Sequence, residues 1–306
     1  MRFVGLLGTF AVVVACSGSS DSSVVSADTA CTNFADAICQ ALNDCVPLLL
    51  QLEYGDVATC STRQKSNCVP TINAPGSALT TAQVASCASA LPNAACDDLL
   101  GRNLPDACHA QAGSLADGAA CSDDSQCANK KCKKHKDAAC GVCSSPAAAG
   151  GPCEVDENCD YGLACATNGV CVAQGMGGAI CDVNHPCRSS FVCHTGSCVQ
   201  PGAEGAPCDP MDPVCSLAKA DYCDPTTKVC KKVATAPAGQ SCGLPNGTLT
   251  ICTASGTCKP PNSVMGTCLA AAPDGMPCDA TSGPACTPPA KCDSGQCKIP
   301  DPSACK

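Results

Sequence analysis

Residues 150–171 read Gly-Gly-Pro-Cys-Glu-Val-Asp-Glu-Asn-Cys-Asp-Tyr-Gly-Leu-Ala-Cys-Ala-Thr-Asn-Gly-Val-Cys, so five residues separate each cysteine from the next. A glycine stands three positions before the first cysteine, and this opening occurs six times, at intervals of 27 to 36 residues. A period of this size indicates an array of small structural units. The six opening cysteines are Cys121, Cys153, Cys181, Cys208, Cys242 and Cys278.

The cysteines must supply most of the order within each unit. A unit of about 30 residues buries too little apolar surface to fold without cross-links or a metal. The chain has 35 cysteines but only 3 tyrosines, 4 phenylalanines and no tryptophan. A disulfide that closes a loop of about 15 residues contributes roughly 3 kcal/mol in the chain-entropy model. The two most regular units define the framework: Cys153, Cys159, Cys165 and Cys171, then Cys181, Cys187, Cys193 and Cys198.

Four cysteines allow three pairings, which the spacing alone does not distinguish. We predict the interleaved pairing, first to third and second to fourth, and 17 disulfides in all, mostly within units. The recurrent glycine fits a tight turn with positive φ, which glycine adopts at little cost. The first and last units each carry a fifth cysteine, so at least one bridge must leave each of them.

The Gly-x-x-Cys opening and spacings near Cys-x5-Cys-x5-Cys-x4-Cys resemble the Dickkopf N-terminal cysteine-rich domain and its EGF-like relatives. The whole arrangement resembles cysteine-rich lipoproteins of myxobacteria and their kin, in which a small helical cysteine domain precedes a string of such repeats. The resemblance covers most of the chain and implies a lipid-anchored protein of the bacterial envelope.

The amino terminus has the features of an export signal, predicted at residues 1–15. An apolar run of 12 residues follows Arg2 and is too short to span a bilayer. The run ends Val-Val-Ala-Cys, which resembles the lipobox of bacterial lipoproteins, where cleavage makes the cysteine the lipid-bearing terminus. The alternative is an ordinary signal cleaved after Ala15, with Cys16 as a plain thiol.

Cysteine parity supports the lipid at Cys16. Removing this residue leaves 35 − 1 = 34 cysteines, enough for 17 disulfides with none left over. Export also implies an oxidising compartment, where such cysteine density is expected. We therefore predict a lipid-anchored protein of the outer membrane or cell surface, with residues 16–30 as a flexible serine-rich tether.

Residues 31–108 carry a helical pattern. Phe34, Ile38 and Leu42 recur at the spacing of one helix face, while Asp56 and Thr80 are placed to cap two further helices. We predict an all-helical domain whose eight cysteines form up to four disulfides. Its most apolar stretch, at 46–52, is predicted to pack in the core; the alternative is a docking surface.

The predicted fold is small and disulfide-rich: an N-terminal all-α domain followed by an elongated array of about six repeats with short β-hairpins. Alanine-, glycine- and proline-rich joints between the repeats lack apolar periodicity and are interpreted as spacers. The repeats are predicted at residues 118–143, 150–171, 178–198, 205–230, 239–268 and 275–305.

The charge pattern bears on partners. The net charge of −9 argues against nucleic acid. One loop of the first repeat is basic and is a candidate site for anionic extracellular polysaccharide or lipid headgroups; the alternative is a solvated loop whose lysines are balanced by nearby acids. Its lysines are Lys130, Lys131, Lys133, Lys134 and Lys136.

Two shorter motifs each have a structural and a chemical interpretation. The acidic turn of the second repeat is similar to the opening of calcium-binding EGF modules, which makes Asp156, Glu157 and Asp160 a calcium candidate; the alternative is a set of surface acids. Cys140 and Cys143 have the spacing of a redox motif, but no thioredoxin-like βαβ pattern surrounds them, so a structural cross-link is predicted.

The sequence predicts a non-enzymatic surface lipoprotein, without a cofactor, whose repeats serve as an interaction, adhesion or spacer module. No nucleophile–base constellation is visible, and aromatic residues that could wall a pocket are few. We expect its partners to be the membrane, through the lipid on Cys16, and extracellular polysaccharide or surface proteins. Two alternatives stay open: an envelope thiol–disulfide oxidoreductase using Cys140 and Cys143, and a secreted EGF- or Dickkopf-like signalling or calcium-binding protein.

Overall fold

Helices occupy the first part of the described chain and short strands occupy the rest. The computed structural model describes residues 25–135, 138–211, 214–216, 219–260, 265–279 and 281–305. It contains 17 disulfides, and the predicted small disulfide-rich class is confirmed. The predicted signal, the lipobox with Cys16 and residues 16–24 of the tether lie outside the described residues, whereas residues 27–30 of the predicted tether are helical instead. Within the described ranges, no helix is both long and apolar enough to cross a membrane.

Five α-helices form the amino-terminal domain, and capping side chains set where two of them begin. The Asp56 carboxylate accepts the Thr59 N–H at 2.7 Å, as predicted. The Thr80 hydroxyl accepts the Gln83 N–H at 3.2 Å, but the Gln83 side chain completes no capping box, because it donates to the His109 carbonyl instead. The helices are α1 Ala27–Cys45, α2 Pro47–Glu53, α3 Val57–Ile72, α4 Thr81–Ala90 and α5 Cys96–Leu100.

The core of this domain combines the inward faces of the helices with four disulfides. Leu91 is 1% exposed. The apolar stretch at 46–52 packs inward through Leu48 and Leu50, as predicted, while Leu49 is 41% exposed. All eight cysteines pair within the domain, so no disulfide ties it to the repeats. The pairs are Cys31–Cys68, Cys39–Cys60, Cys45–Cys96 and Cys87–Cys108.

Each repeat opens at its predicted glycine, in the left-handed conformation. In the second repeat Gly150 has φ +82°, and its N–H donates to the Cys171 carbonyl at 2.8 Å. A side-chain carbon added at Gly150 would meet nothing within 4 Å. Backbone conformation, not space, therefore requires glycine here. The same turn, with φ between 78° and 85°, occurs at Gly118, Gly178, Gly205, Gly239 and Gly275.

The interleaved pairing is confirmed in all six repeats. In the second repeat Cys165 lies opposite Cys171 across two antiparallel strands, so both side chains project from the same face. There they meet the two cysteines of the preceding loop, giving Cys153–Cys165 and Cys159–Cys171. The other repeats contain Cys121–Cys132, Cys127–Cys143, Cys181–Cys193, Cys187–Cys198, Cys208–Cys223, Cys215–Cys230, Cys242–Cys258, Cys252–Cys268, Cys278–Cys292 and Cys286–Cys297.

The strands are short and form a separate small sheet in each repeat. Four repeats have a two-stranded hairpin, the first has a three-stranded sheet, and the fifth has a five-stranded sheet. The strands are β1 Ala120–Cys121, β2 Cys132–Lys133, β3 Gly141–Cys143, β4 Leu163–Cys165, β5 Cys171–Ala173, β6 Val192–His194, β7 Ser197–Val199, β8 Asp221–Cys223, β9 Cys230–Lys232, β10 Ala234–Ala236, β11 Ser241–Gly243, β12 Thr250–Cys252, β13 Thr257–Lys259, β14 Met265–Leu269, β15 Lys291–Asp293 and β16 Gln296–Lys298.

The joints between repeats are structural parts of the units, which corrects their interpretation as spacers. Ala147, three residues before the opening glycine, pairs in parallel with Cys159, and equivalent bridges join Gly175 to Cys187 and Leu115 to Cys127. At Gly175 there is no room for a side chain, because a disulfide lies close. A side-chain carbon added at Gly175 would lie 3.0 Å from the Cys198 sulfur.

The array closes on itself, so the predicted elongated path is wrong. The fifth cysteines of the first and last repeats pair with each other, as Cys140–Cys305, across a sequence separation of 165 residues. The array also packs on the helical domain. Arg63 on α3 donates to both carboxylate oxygens of Asp274 in the sixth repeat, at 2.6 and 2.9 Å. Asp97 on α5 accepts from Ser190 in the third repeat.

Candidate ligand cleft beside the first two repeats

The basic loop of the first repeat is divided between surface and interior. Lys131 is 3% exposed, and its ammonium pairs with the Asp124 carboxylate at 2.6 Å. Lys130 is exposed, Lys133 is half-buried, and Lys134 lines a cleft. The predicted anion-binding surface therefore loses Lys131 to an internal ion pair. The fifth lysine, Lys136, lies outside the described residues.

The acidic turn of the second repeat has a structural role that its sequence did not reveal. The Asp156 carboxylate accepts the Cys165 N–H at 2.7 Å, and Asp124 accepts the equivalent N–H in the first repeat at 2.8 Å. The other two calcium candidates lie on different clefts, Glu157 on the larger and Asp160 on a smaller neighbour. The need to support the hairpin thus accounts for Asp156, and calcium binding stays a candidate interpretation beside that of surface acids.

The cysteine motifs are fully oxidised in the structure. Cys140 pairs with Cys305 and Cys143 with Cys127, so the Cys-x-x-Cys segment contains two separate cross-links, as the structural interpretation predicts. Cysteine sulfurs also gather in threes within repeats, at the distances of a metal site. Each sulfur is committed to a disulfide, and metal coordination requires thiolates.

A cleft of about 430 Å³ lies between the helical domain and the first two repeats. This volume is in the range of small-molecule sites. Its apolar wall comes from the helical domain and includes Phe34, Leu79 and Val84 together with the disulfide sulfurs of that domain. Most of its charged groups come from the repeats, and the helical domain adds Arg102 and the amides of Gln64, Asn67 and Gln83. The charged lining residues are Arg102, Asp123, Asp124, Lys134 and Glu157.

Two polar groups in the cleft are unsatisfied among the described residues. Gln83 on α4 is held by its amide N–H, which donates to the His109 carbonyl at 2.7 Å, while its side-chain oxygen is buried without a hydrogen-bond partner. The Lys134 ammonium makes no hydrogen bond or ion pair within the described chain. Burial lowers the pKa of Lys134; the charge of Asp123 opposes this shift, that of Lys291 adds to it, and those of Asp124 and Glu157 oppose it.

An aromatic contact fixes the second repeat against the end of the helical domain. The rings of His109 and Tyr161 stack with centroids 3.9 Å apart and planes 6° from parallel. The Tyr161 hydroxyl accepts the Ala110 N–H at 3.2 Å. Tyr161 lines both the large cleft and a smaller one of about 240 Å³. This stack therefore fixes the position of one cleft wall relative to the other.

The charged lining residues differ in whether another residue already binds them. Asp124 is already paired with Lys131, and the Asp123 carboxylate accepts the Ser125 N–H at 2.9 Å. Arg102 donates to the Asp156 carbonyl. Glu157 is exposed to solvent. Lys134 is thus the half-buried lining charge without a partner among the described residues.

Comparison with known proteins identifies no match from which a function could be inferred. No family model matches it, and neither a curated protein nor a solved structure matches it. The class that the fold defines is a disulfide-stapled repeat protein with a helical domain. Function must therefore be argued from the chain's own residues.

The cleft was missed in the sequence because its walls are distant along the chain. Leu79 and Lys134 lie 55 positions apart, and no local pattern in the sequence joins them. The expectation that this chain could not wall a pocket considered the repeats alone. The helical domain supplies the apolar wall that the repeats lack.

Proposed function

We propose that this protein is exported, held at a membrane surface by a lipid on Cys16, and acts as a binding module. Cysteine pairing carries the proposal. The chain has 35 cysteines, and the 17 disulfides of the described residues use 34 of them, which leaves Cys16. A single cysteine outside the disulfide framework, directly after an apolar signal-like run, is what a lipid attachment site requires.

The binding role is supported by how the array is built. Disulfides within every repeat and the Cys140–Cys305 bridge between the first and last repeats limit the conformations that the surface can adopt. A surface that is ordered before binding loses less entropy when a partner docks. An envelope oxidoreductase is disfavoured, because Cys140 and Cys143 do not pair with each other.

Membrane attachment is tested by fractionating cells that express the chain and a Cys16→Ser variant. We expect the parent protein in the membrane fraction and the variant in the soluble fraction, because two or more acyl chains anchor a protein stably. Cys305→Ser is the matched control, since it also removes one cysteine but should stay with the membrane. Retention of the Cys16→Ser variant in membranes would remove the anchor from the proposal.

Binding at the basic loop is tested with anionic polysaccharide on beads. We expect a variant with Lys130, Lys133 and Lys136 changed to glutamine to bind less than the parent, with a stronger effect at low salt. Lys131 is left unchanged because its ion pair with Asp124 is structural. A variant with Lys219, Lys228 and Lys298 changed to glutamine, three exposed lysines of other repeats, is the charge-matched control. Equal retention of all three proteins would assign partner binding to another surface.

A further inference from the structure

The large cleft has features of a small-ligand site that go beyond surface display. It has a volume of about 430 Å³, an apolar wall from the helical domain and charged groups that come mostly from the first two repeats. Ligand sites of this kind are mostly apolar, with a few polar groups that fix the ligand's orientation. Two such groups, Gln83 and Lys134, are present in the lining.

The Gln83 side-chain oxygen is an acceptor that could bind a hydrogen-bond donor on a ligand. The other end of the same amide donates to the His109 carbonyl at 2.7 Å. The oxygen is buried and has no partner within the described chain. A buried acceptor without a partner carries a desolvation cost. A ligand N–H or O–H would remove that cost once the Gln83 side chain turns its oxygen toward the cleft.

The Lys134 ammonium calls for an anion. It is half-buried and makes no hydrogen bond or ion pair to a described residue; Asp123, Asp124 and Glu157 favour its charged form only from a longer distance, and Asp124 is already paired with Lys131. The Lys134 carbonyl accepts a hydrogen bond from Asn158 in the second repeat at 3.2 Å, which anchors the backbone at this point. Burial lowers the pKa of Lys134 because it disfavours the charged ammonium. An anion bound beside Lys134 would stabilise that charged form.

We propose that this cleft binds a small amphipathic organic anion that carries an N–H or O–H donor. The apolar body of the ligand packs on Phe34, Leu79 and Val84. Its anionic group pairs with Lys134, and its donor binds the Gln83 oxygen. This site does not depend on the lipid at Cys16, so either proposal can fail without the other.

The proposal is tested with two fluorescent probes that share an apolar body and an N–H group. The probe 1-anilinonaphthalene-8-sulfonate is an anion, whereas N-phenyl-1-naphthylamine is its neutral counterpart. Titrations use the full chain carrying Cys16→Ser, so that neither lipid nor detergent offers another apolar phase. We expect one saturable site for the anionic probe and weaker binding of the neutral one.

Variants assign the binding to the cleft. We expect Lys134→Gln to weaken the anionic probe about tenfold, the effect of losing one charge-assisted contact, and to leave the neutral probe unchanged. Lys133→Gln is the matched control and should change neither. Leu79→Trp, which fills the apolar wall, should weaken both probes. Each variant is first checked for native disulfide pairing by peptide mapping.

The outcomes separate clearly. A selective loss of the anionic probe in Lys134→Gln, with an unchanged control, supports the site. Equal affinity of the parent and Lys134→Gln for the anionic probe would overturn it. Absence of saturable binding by the parent, or insensitivity of both probes to Leu79→Trp, would also overturn it.

Discussion

At the scale of single residues, a few backbone and side-chain positions set the frame of every repeat. The glycine before the first cysteine turns the chain back so that its N–H reaches the carbonyl of the fourth cysteine; in the third repeat Gly178 reaches Cys198 at 2.8 Å. Aspartates then cap the tight turns, as Asp224 does for the N–H groups of Thr226 and Thr227. These local hydrogen bonds stabilise the turns of each repeat without a large hydrophobic core.

Replacement of Gly178 by alanine tests the turn. Gly178 has φ +84°, and an added side-chain carbon would meet nothing within 4 Å, so only backbone strain opposes the change. We expect a loss of about 1 kcal/mol, since left-handed backbone disfavours residues with a side-chain carbon. Amide exchange at Cys198 should speed up about fivefold. Gly178→Asn, which tolerates this conformation better, is the control; equal effects of Ala and Asn would contradict the explanation.

The aspartates of two turns should titrate well below the usual range. The Lys231 ammonium and the N–H groups of Thr227 and Thr226 lower the pKa of Asp224 to about 2. The Ser282 hydroxyl, with backbone N–H groups, lowers the pKa of Asp279 to about 2. Because these values are depressed, the stabilisation is present above the unfolded pKa of about 3.9 and is lost as the pH falls toward 2.

Carbon-13 NMR of the two carboxyl groups measures this directly. We expect midpoints near 2 in the native protein, and near 3.9 after reduction and unfolding. Exchange protection of Thr227 and Ser282 should fall over the same acid range. Midpoints that are the same in both states would show that the hydrogen bonds of the turns contribute nothing to folding.

At the scale of elements, separate parts of the chain are joined by a small number of directed contacts. Arg63 on α3 binds Asp274 with two hydrogen bonds and also donates to the carbonyls of Thr287 and Pro288. Its side chain is 17% exposed, so these contacts are partly shielded from water. One planar guanidinium thus holds the sixth repeat on the helical domain.

Arg63→Lys keeps the charge but loses the forked geometry of the guanidinium. We expect faster exchange of the Ala272 N–H, which is bonded to Ala285 at 2.7 Å, by about tenfold. The control is Lys65→Gln on the same helix. Its ion pair with Asp28 is exposed and should contribute little. Unchanged exchange in Arg63→Lys would show that other contacts hold the repeat.

Features set by local rules were predicted from the sequence, whereas features set by tertiary packing were not. The cap at Asp56, the helix face through Phe34 and the glycine turns follow from local rules and were predicted. The bridge between Ala147 and Cys159 was not, because alanine-rich joints carry no apolar pattern and the partner is fixed by tertiary packing. The unpaired oxygen of Gln83 was hidden for the same reason, since its sequence context suggested only a capping box.

At the scale of the whole molecule, one disulfide closes the array by joining its first and last repeats. The repeats alone predicted an extended string, because their joints read as spacers. Because the first and the last repeat each have an odd number of cysteines, one bridge had to leave each of them. No local sequence pattern indicated which cysteine is the partner. The structure joins the two as Cys140–Cys305 and brings the array against the helical domain, where the cleft forms.

Non-reducing peptide mapping of the native protein by mass spectrometry tests this closure most directly. The protein is alkylated, digested without reduction, and its cross-linked peptides are sequenced. We expect a peptide pair joining Cys140 to Cys305, together with interleaved pairs in each repeat. A peptide with Cys140 linked to Cys143, or with either Cys140 or Cys305 alkylated as a free thiol, would contradict the closed array.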